Sequence, residues 1–169
     1  TRHNSHYFYL KKCLIVKKNI FIEKPFCLRL NELNEIEDLY GSIDNDESKP
    51  IVMVGFNRRF APLINDLKKL LDGINENKSF IYTCNAGFIP EDNWLQDPKI
   101  GGGRLIGEAC HFVDLLLYLS GSRIKNLEVI EMKDKKICSD TFTINLSFFD
   151  GSIGSIHYFS NGNLSFPKE

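Results

Sequence analysis

The sequence predicts an α/β unit followed by an α+β unit: a short parallel sheet, then a mostly antiparallel open sheet covered by helices. Three observations predict it. Continuous apolar runs at residues 19–22 and 51–54 alternate with amphipathic helical segments in the first third of the chain, the pattern of strands buried on both faces of a parallel sheet. Residues 80–88 and 141–148 instead alternate apolar and polar side chains, as strands with one covered face do. Asp150-Gly151 then reads as a hairpin turn.

The elements follow in order. Residues 5–17 carry Tyr7, Leu10, Leu14 and Ile15 at helical spacing, with Ser5 as candidate N-cap. Residues 19–22 form the first strand. Residues 30–46 place Leu30, Leu33, Ile36, Leu39 and Tyr40 on one helical face, and the polar stretch 44–50 ends that helix. Residues 51–54 form the second strand. Leu63, Ile64, Leu67, Leu70 and Leu71 predict a helix over 62–73. In the strand 80–88, Phe80, Tyr82, Cys84, Ala86 and Phe88 share a face. A helix over about 106–119 is the expected cover of the second sheet. Residues 124–132, 141–148 and 152–160 are its other strands. Phe142, Ile144, Leu146 and Phe148 are expected beneath the helices, and Ile156 and Tyr158 are weaker candidates for a subunit interface. The division falls near residues 56–60, giving units 1–56 and 57–169.

Composition excludes several classes. Hydrophobic residues make up 43% and charged residues 25%, as in ordinary globular proteins. A net charge of −1 provides no field for nucleic acid or an anionic membrane. No apolar run approaches the roughly 20 residues that span a bilayer, and no signal peptide is expected. The five cysteines are scattered, odd in number and without a C-x-x-C spacing, so neither a metal site nor a disulfide framework is expected, and a reducing cytoplasm suits them. The chain opens on Thr1 and closes in no element, so it is expected to be part of a longer protein.

Chemistry is concentrated in two places. Glu23-Lys24-Pro25 closes the first apolar strand, and ligands of α/β sheets sit beyond the carboxyl ends of strands. The alternative is a surface charge pair at a strand exit. Gly101-Gly102-Gly103 costs backbone entropy and suits a backbone passing close to something. On the following helix Glu108, His111 and Asp114 fall at i, i+3 and i+6, so the imidazole has a carboxylate within reach on either side. Such a histidine is also often only structural.

Together these residues resemble a known family. Glu23-Lys24-Pro25 after a strand, Val54-Gly55-Phe56-Asn57-Arg58-Arg59-Phe60, and the Gly-rich stretch leading to His111 and Asp114 are similar to the glucose–fructose oxidoreductase / inositol dehydrogenase family, Gfo/Idh/MocA. The opening Thr1-Arg2-His3-Asn4-Ser5-His6 is similar to the family's segment after the fourth Rossmann strand. The resemblance implies that residues 1–56 are the second part of a Rossmann-type dinucleotide domain. It implies NAD or NADP as cofactor and a sugar, nucleotide-sugar or cyclitol substrate. It places Thr1, Asn4, His6, Glu23, Lys24, Pro25, Asn57 and Arg58 on the cofactor side, with the Lys24–Pro25 bond often cis. Lys24 and His111 would share the acid/base chemistry, with Asp114 near substrate hydroxyls. Arg104 is a further candidate for substrate contact. A homo-oligomer through the second sheet is also implied.

The chain departs from the family in two respects. The usual Asp four residues before the histidine is Gly107, with Glu108 the candidate substitute. Residues 86–90, Trp94, Asp97-Pro98 and 107–111 look like members associated with polysaccharide biosynthesis. Trp94 and Gln96 would offer a sugar a stacking face and an amide, loop packing being the alternative. Secondly, no Gly-x-Gly-x-x-Gly follows any strand, so residues 1–169 alone are expected not to bind dinucleotide usefully, and to expose an aggregation-prone strand edge. Two alternatives to the dehydrogenase remain: an NAD-dependent glycosidase-type relative, and a non-catalytic remnant acting through sheet-mediated dimerisation.

Overall fold

A computed structural model describes residues 1–43, 49–133, 140–163 and 165–169. Helix α1 (His6–Ile15) leads into strand β1 (Ile20–Ile22), helix α2 (Leu30–Ser42) and strand β2 (Val52–Val54). A 3-10 turn, His3–Ser5, precedes α1, and Ser5 donates its hydroxyl to the Arg2 carbonyl rather than capping the helix. Glu32 accepts from the amides of Leu28 and Arg29 and so satisfies donors at the start of α2. Residues 44–46, expected at the end of that helix, lie outside the described residues, and α2 ends at Ser42.

β1 and β2 pair in parallel, Ile20 opposite Val52 and Ile22 opposite Val54. Those four side chains face Leu10 and Leu14 of α1 and Ile36 of α2, the small core of this part. Both helices lie on one sheet face. The expectation of two covered faces fails here: Phe21 is 65% and Met53 43% exposed. Continuous apolarity does not say how many faces the described chain covers.

Beyond a 3-10 turn, Asn57–Phe60, helix α3 (Pro62–Asp72) starts on Pro62, whose missing N–H suits a first helical position. Ile64 and Leu71 reach the second core, whereas Leu63 is 82% and Leu70 70% exposed. Strands β3 (Ser79–Asn85), β4 (Ile124–Glu131), β5 (Phe142–Phe148) and β6 (Ile153–Phe159) form a mixed sheet in the order β3-β6-β5-β4. β3 runs parallel to β6, and the remaining pairs are antiparallel. The expected turn joins β5 to β6, with Gly151 at φ +91°. Phe142, Ile144, Leu146 and Phe148 meet Phe112, Leu115, Leu116 and Leu119, as expected from their period.

Two expectations are corrected. Ile156 and Tyr158 are fully buried in this same core and are not available to a subunit interface. Gly154, Ile156 and Tyr158 share the helix-covered face, while Ile153, Ser155 and His157 turn outward. The single helix expected over 106–119 is two, α4 (Gly103–Gly107) and α5 (Ala109–Ser120), broken at Glu108 with φ −118°. That break places the site.

Candidate functional site

The three glycines build the approach to the site. A Cβ on Gly101 would lie 2.4 Å from the Leu95 Cα and 2.6 Å from the Trp94 carbonyl oxygen, so only glycine lets these backbones pass. Gly102 and Gly103 take left-handed φ of +78° and +75°, which disfavour side chains. The chain then enters α4, breaks at Glu108 and starts α5 with His111 in its first turn.

Lys24 reaches this break from the end of β1. Its Nζ donates to the Gly107 carbonyl at 2.7 Å and lies 3.3 Å from Glu108 Oε1. The Lys24–Pro25 peptide is cis. His111 is 8% exposed, its ring edge-on to Phe56 at 6.3 Å between centroids. It hydrogen-bonds neither carboxylate, contrary to what helical spacing suggested. Its Nδ1 is buried without a partner. Glu108 is taken by Lys24. Asp114 accepts two bonds from Arg59, one from Nε at 2.6 Å. Desolvation by burial pushes the His111 imidazole down to about 4. The Lys24 and Arg58 charges add to this, and Glu108 and Glu23 oppose it. His111 is therefore neutral at pH 7.

The expected cofactor-side residues sit around this pair. His6 is buried, and its Nδ1 bonds the Pro25 carbonyl at 2.8 Å. A carbonyl oxygen only accepts, so that nitrogen carries the proton. Glu23 and Thr1 are exposed and, with His6, line a cavity of about 350 Å³ against α1 and β1. The Glu23 carboxylate lies over Gly55, where a Cβ would stand 3.1 Å from its oxygen. Asn4 is exposed and anchors its backbone N–H on the Ile100 carbonyl at 3.1 Å. Asn57 is exposed at the start of its 3-10 turn. Arg58 turns inward instead: it pairs with Glu169 and lies 4.9 Å over the Phe112 ring.

The expected substrate residues divide. Trp94 stands half-buried in the wall of a cleft of about 680 Å³, with the Arg2 guanidinium 5.9 Å over its ring. Gln96 also borders that cleft but is buried and donates to Asp140. Arg104 is buried, bonding the Tyr158 hydroxyl at 2.8 Å and the carbonyls of Gly87 and Ala86. Its donors are spent inside the protein. Sequence reasoning missed Arg59, which occupies Asp114, and His3, which packs beside Gly107. His3 sits in the same segment as His6, and the glycine at 107 was the only signal that something else fills that place.

Burial of neutral imidazoles has a stability consequence. His3 is also depressed, first by burial. Between the ordinary value of 6.5 and the folded value of about 4 for His111, the unfolded chain binds protons that the folded chain does not. Stability from His111 is full above pH 6.5, falls as pH drops and is lost below about 4, and His3 contributes in the same direction. His111→Asn should flatten that part of the melting-temperature profile; an unchanged slope would contradict the burial of a neutral imidazole.

Comparison with known proteins agrees with the fold. A family model described as "Oxidoreductase family, C-terminal alpha/beta domain" matches residues 68–169. Myo-inositol 2-dehydrogenase of Thermotoga maritima is 24% identical over 159 residues, 90% of this chain and 46% of its own. An inositol dehydrogenase homolog from Azotobacter vinelandii complexed with NAD+ superposes at a TM-score of 0.80 and 19% identity, over 97% of this chain and 45% of its own. The WlbA dehydrogenase of Thermus thermophilus, in complex with NAD and UDP-GlcNAcA, gives 0.74 at 22% identity, over 93% and 48%. The chain spans about half the length of the curated relatives it matches. The family model, matched over more than half of the chain, makes it a member of the Gfo/Idh/MocA oxidoreductase family.

Proposed function

We propose that the chain is part of an NAD(P)-dependent oxidoreductase that moves hydride between nicotinamide and a hydroxyl-bearing carbon of a sugar, nucleotide sugar or cyclitol. One observation carries this reading: an anchored ammonium, Lys24, beside a buried neutral imidazole, His111, whose Nδ1 has no partner. Leaving a buried polar atom unpaired costs about 1–3 kcal/mol. Such a site is retained where the atom has a partner in the working state.

The residues present fit the nicotinamide end of a dinucleotide. Thr1, His6 and Glu23 line one end of a cavity that runs along β1 and α1, and Glu23 and Lys24 follow the carboxyl end of β1, where ligands of parallel sheets sit. Residues 1–56 then serve as the second part of the dinucleotide domain and 57–169 as the substrate domain. When bound, the nicotinamide supplies the hydride acceptor. The chain supplies the rest. His111 takes the hydroxyl proton, and its neutrality at pH 7 keeps it ready. The Lys24 ammonium faces the oxygen and stabilises developing alkoxide charge. Glu108 and the Gly107 carbonyl hold Lys24 in place. Asp114, tied to Arg59, holds the middle of α5 to the Asn57–Phe60 turn through that pair. Trp94 offers a sugar ring its face. Arg104 and Gln96 support the walls from behind.

The relative named myo-inositol 2-dehydrogenase supports a cyclitol or sugar hydroxyl. The four described cysteines are free, which suits the cytoplasm. We place the subunit contact on the outward sheet face, where Ile81 and Ile153 are exposed. Sedimentation of the intact gene product as a monomer would contradict that contact. The activity is tested by giving the intact gene product NAD or NADP with a panel of sugars, nucleotide sugars and cyclitols. Accumulation of reduced nicotinamide is expected. Hydrolysis of an aryl glycoside without it would favour the glycosidase-type relative, and inertness toward all of them would favour the remnant.

A further inference from the structure

His3 has no place in the chemistry above, yet it is buried at the centre of the site. Its Nδ1 bonds the Gly101 carbonyl at 2.8 Å, and since that oxygen only accepts, Nδ1 carries the proton. Its ring is edge-on to Trp94 at 4.9 Å between centroids and 5.8 Å from the ring of His6. On its other side stands Gly107. A Cβ built there would lie 3.0 Å from His3 Cε1 and 3.4 Å from Nδ1; the next atom, the Gly101 oxygen, is at an ordinary 3.6 Å. Gly107 is not among the positive-φ glycines, so its backbone accepts a side chain. What keeps a side chain away from position 107 is the imidazole of His3.

The same Gly107 gives its carbonyl to Lys24 Nζ. The ring of His3 thus packs against the residue that anchors the ammonium, and it is itself pinned by Gly101, two residues before α4 begins. We propose that His3 is a positioning residue for the Lys24–His111 pair, its imidazole filling the place of the side chain that position 107 lacks. The proposal rests on the acid/base reading of that pair. The charged and titratable groups facing His3 are Lys24, His6 and Glu108. Those facing His111 are Lys24, Arg58, Glu108 and Glu23. Lys24 and Glu108 are common to both, so a shift of the Lys24 anchor registers at His111.

Two substitutions separate positioning from packing. His3→Asn keeps an amide N–H for the Gly101 carbonyl but vacates the space beside Gly107. Gly107→Ala keeps His3 and pushes on it. The readouts are the NMR titration of His111 in the intact gene product and the split between kcat and KM. Wild-type His111 is expected to titrate at about 4. In either single variant it should move toward the ordinary value, and kcat should fall about tenfold to a hundredfold, as for a misplaced reacting group. In the double variant the new methyl occupies the vacated space, so both readouts should lie closer to wild type than in either single variant. Strictly additive losses would overturn the proposal, as would a lower melting temperature with an unmoved His111 titration. Should the intact protein turn over no candidate substrate, the dehydrogenase reading fails by itself, and the titration cycle still decides whether His3 sets the geometry at His111. Should His3→Asn not fold, Gly107→Ala reads the same coupling from the other side.

Discussion

Lys24→Ala in the intact gene product is expected to lower kcat about a thousandfold, within the range removed with a positioned acid/base group. The side chain does three things at once. In the proposed reaction it carries the cation that faces the reacting oxygen, and in the structure it pairs with Glu108 at 3.3 Å and satisfies the Gly107 carbonyl at 2.7 Å. Its charge is also the second cause of the depressed His111 value of about 4, after burial. Removing it should therefore raise the His111 titration and move the acid limb of the rate profile to higher pH. Lys24→Arg restores a charge near His111 but not a compact ammonium, so it should return the titration toward wild type without recovering most of kcat. Retention of more than about a tenth of the wild-type kcat in Lys24→Ala would remove Lys24 from the chemistry.

Arg104→Ala is expected to act on stability rather than on substrate affinity. The guanidinium serves the Tyr158 hydroxyl and the carbonyls of Gly87 and Ala86, and lies 4.9 Å over the Tyr158 ring. Each buried group left unpaired costs about 1–3 kcal/mol, so a loss of about 3–5 kcal/mol is expected after partial relaxation. For a protein of this size or larger that lowers the melting temperature by roughly 10 °C. Arg104→Lys should recover little, because a single ammonium does not span three acceptors in a plane. A raised KM at unchanged melting temperature would instead return Arg104 to direct substrate contact, the role for which it was a candidate.

These cases show what the sequence made legible. Strands and helices came through because period and composition are local: the alternation in 141–148 specifies which side of β5 meets Phe112 and Leu116, and it does so here. The family's order of motifs singled out Lys24 and His111 for one site, and the structure brings Lys24 to Gly107 and Glu108, just before His111. The bonds around it were not. Helical spacing brought Glu108, His111 and Asp114 within reach of each other, but Lys24 and Arg59 arrive from other elements and take both carboxylates. The break between α4 and α5 also turns Glu108 out of the regular helix, which no local propensity announced. Arg104 was a candidate for substrate contact; its burial against Tyr158 depends on a strand 54 residues away in sequence. Ile156 and Tyr158 were misplaced by phase, since a period of two fixes alternation but not which set faces the helices. His3 was hidden for a similar reason: its burial, its bond to Gly101 and its contact with Gly107 all depend on a segment 98 or more residues away.

The account turns on His111 as the proton acceptor. The most direct measurement is the pH dependence of kcat/KM for the intact gene product and its His111→Asn variant, with substrate deuterated at the carbon that loses hydride. In the wild type an acid limb set by a depressed imidazole is expected. In the variant that limb should vanish and the rate should fall by about two to four powers of ten, with the deuterium effect increasing as chemistry becomes limiting. A variant with the same acid limb and a rate within about tenfold of wild type would contradict the account and leave Lys24 as the base.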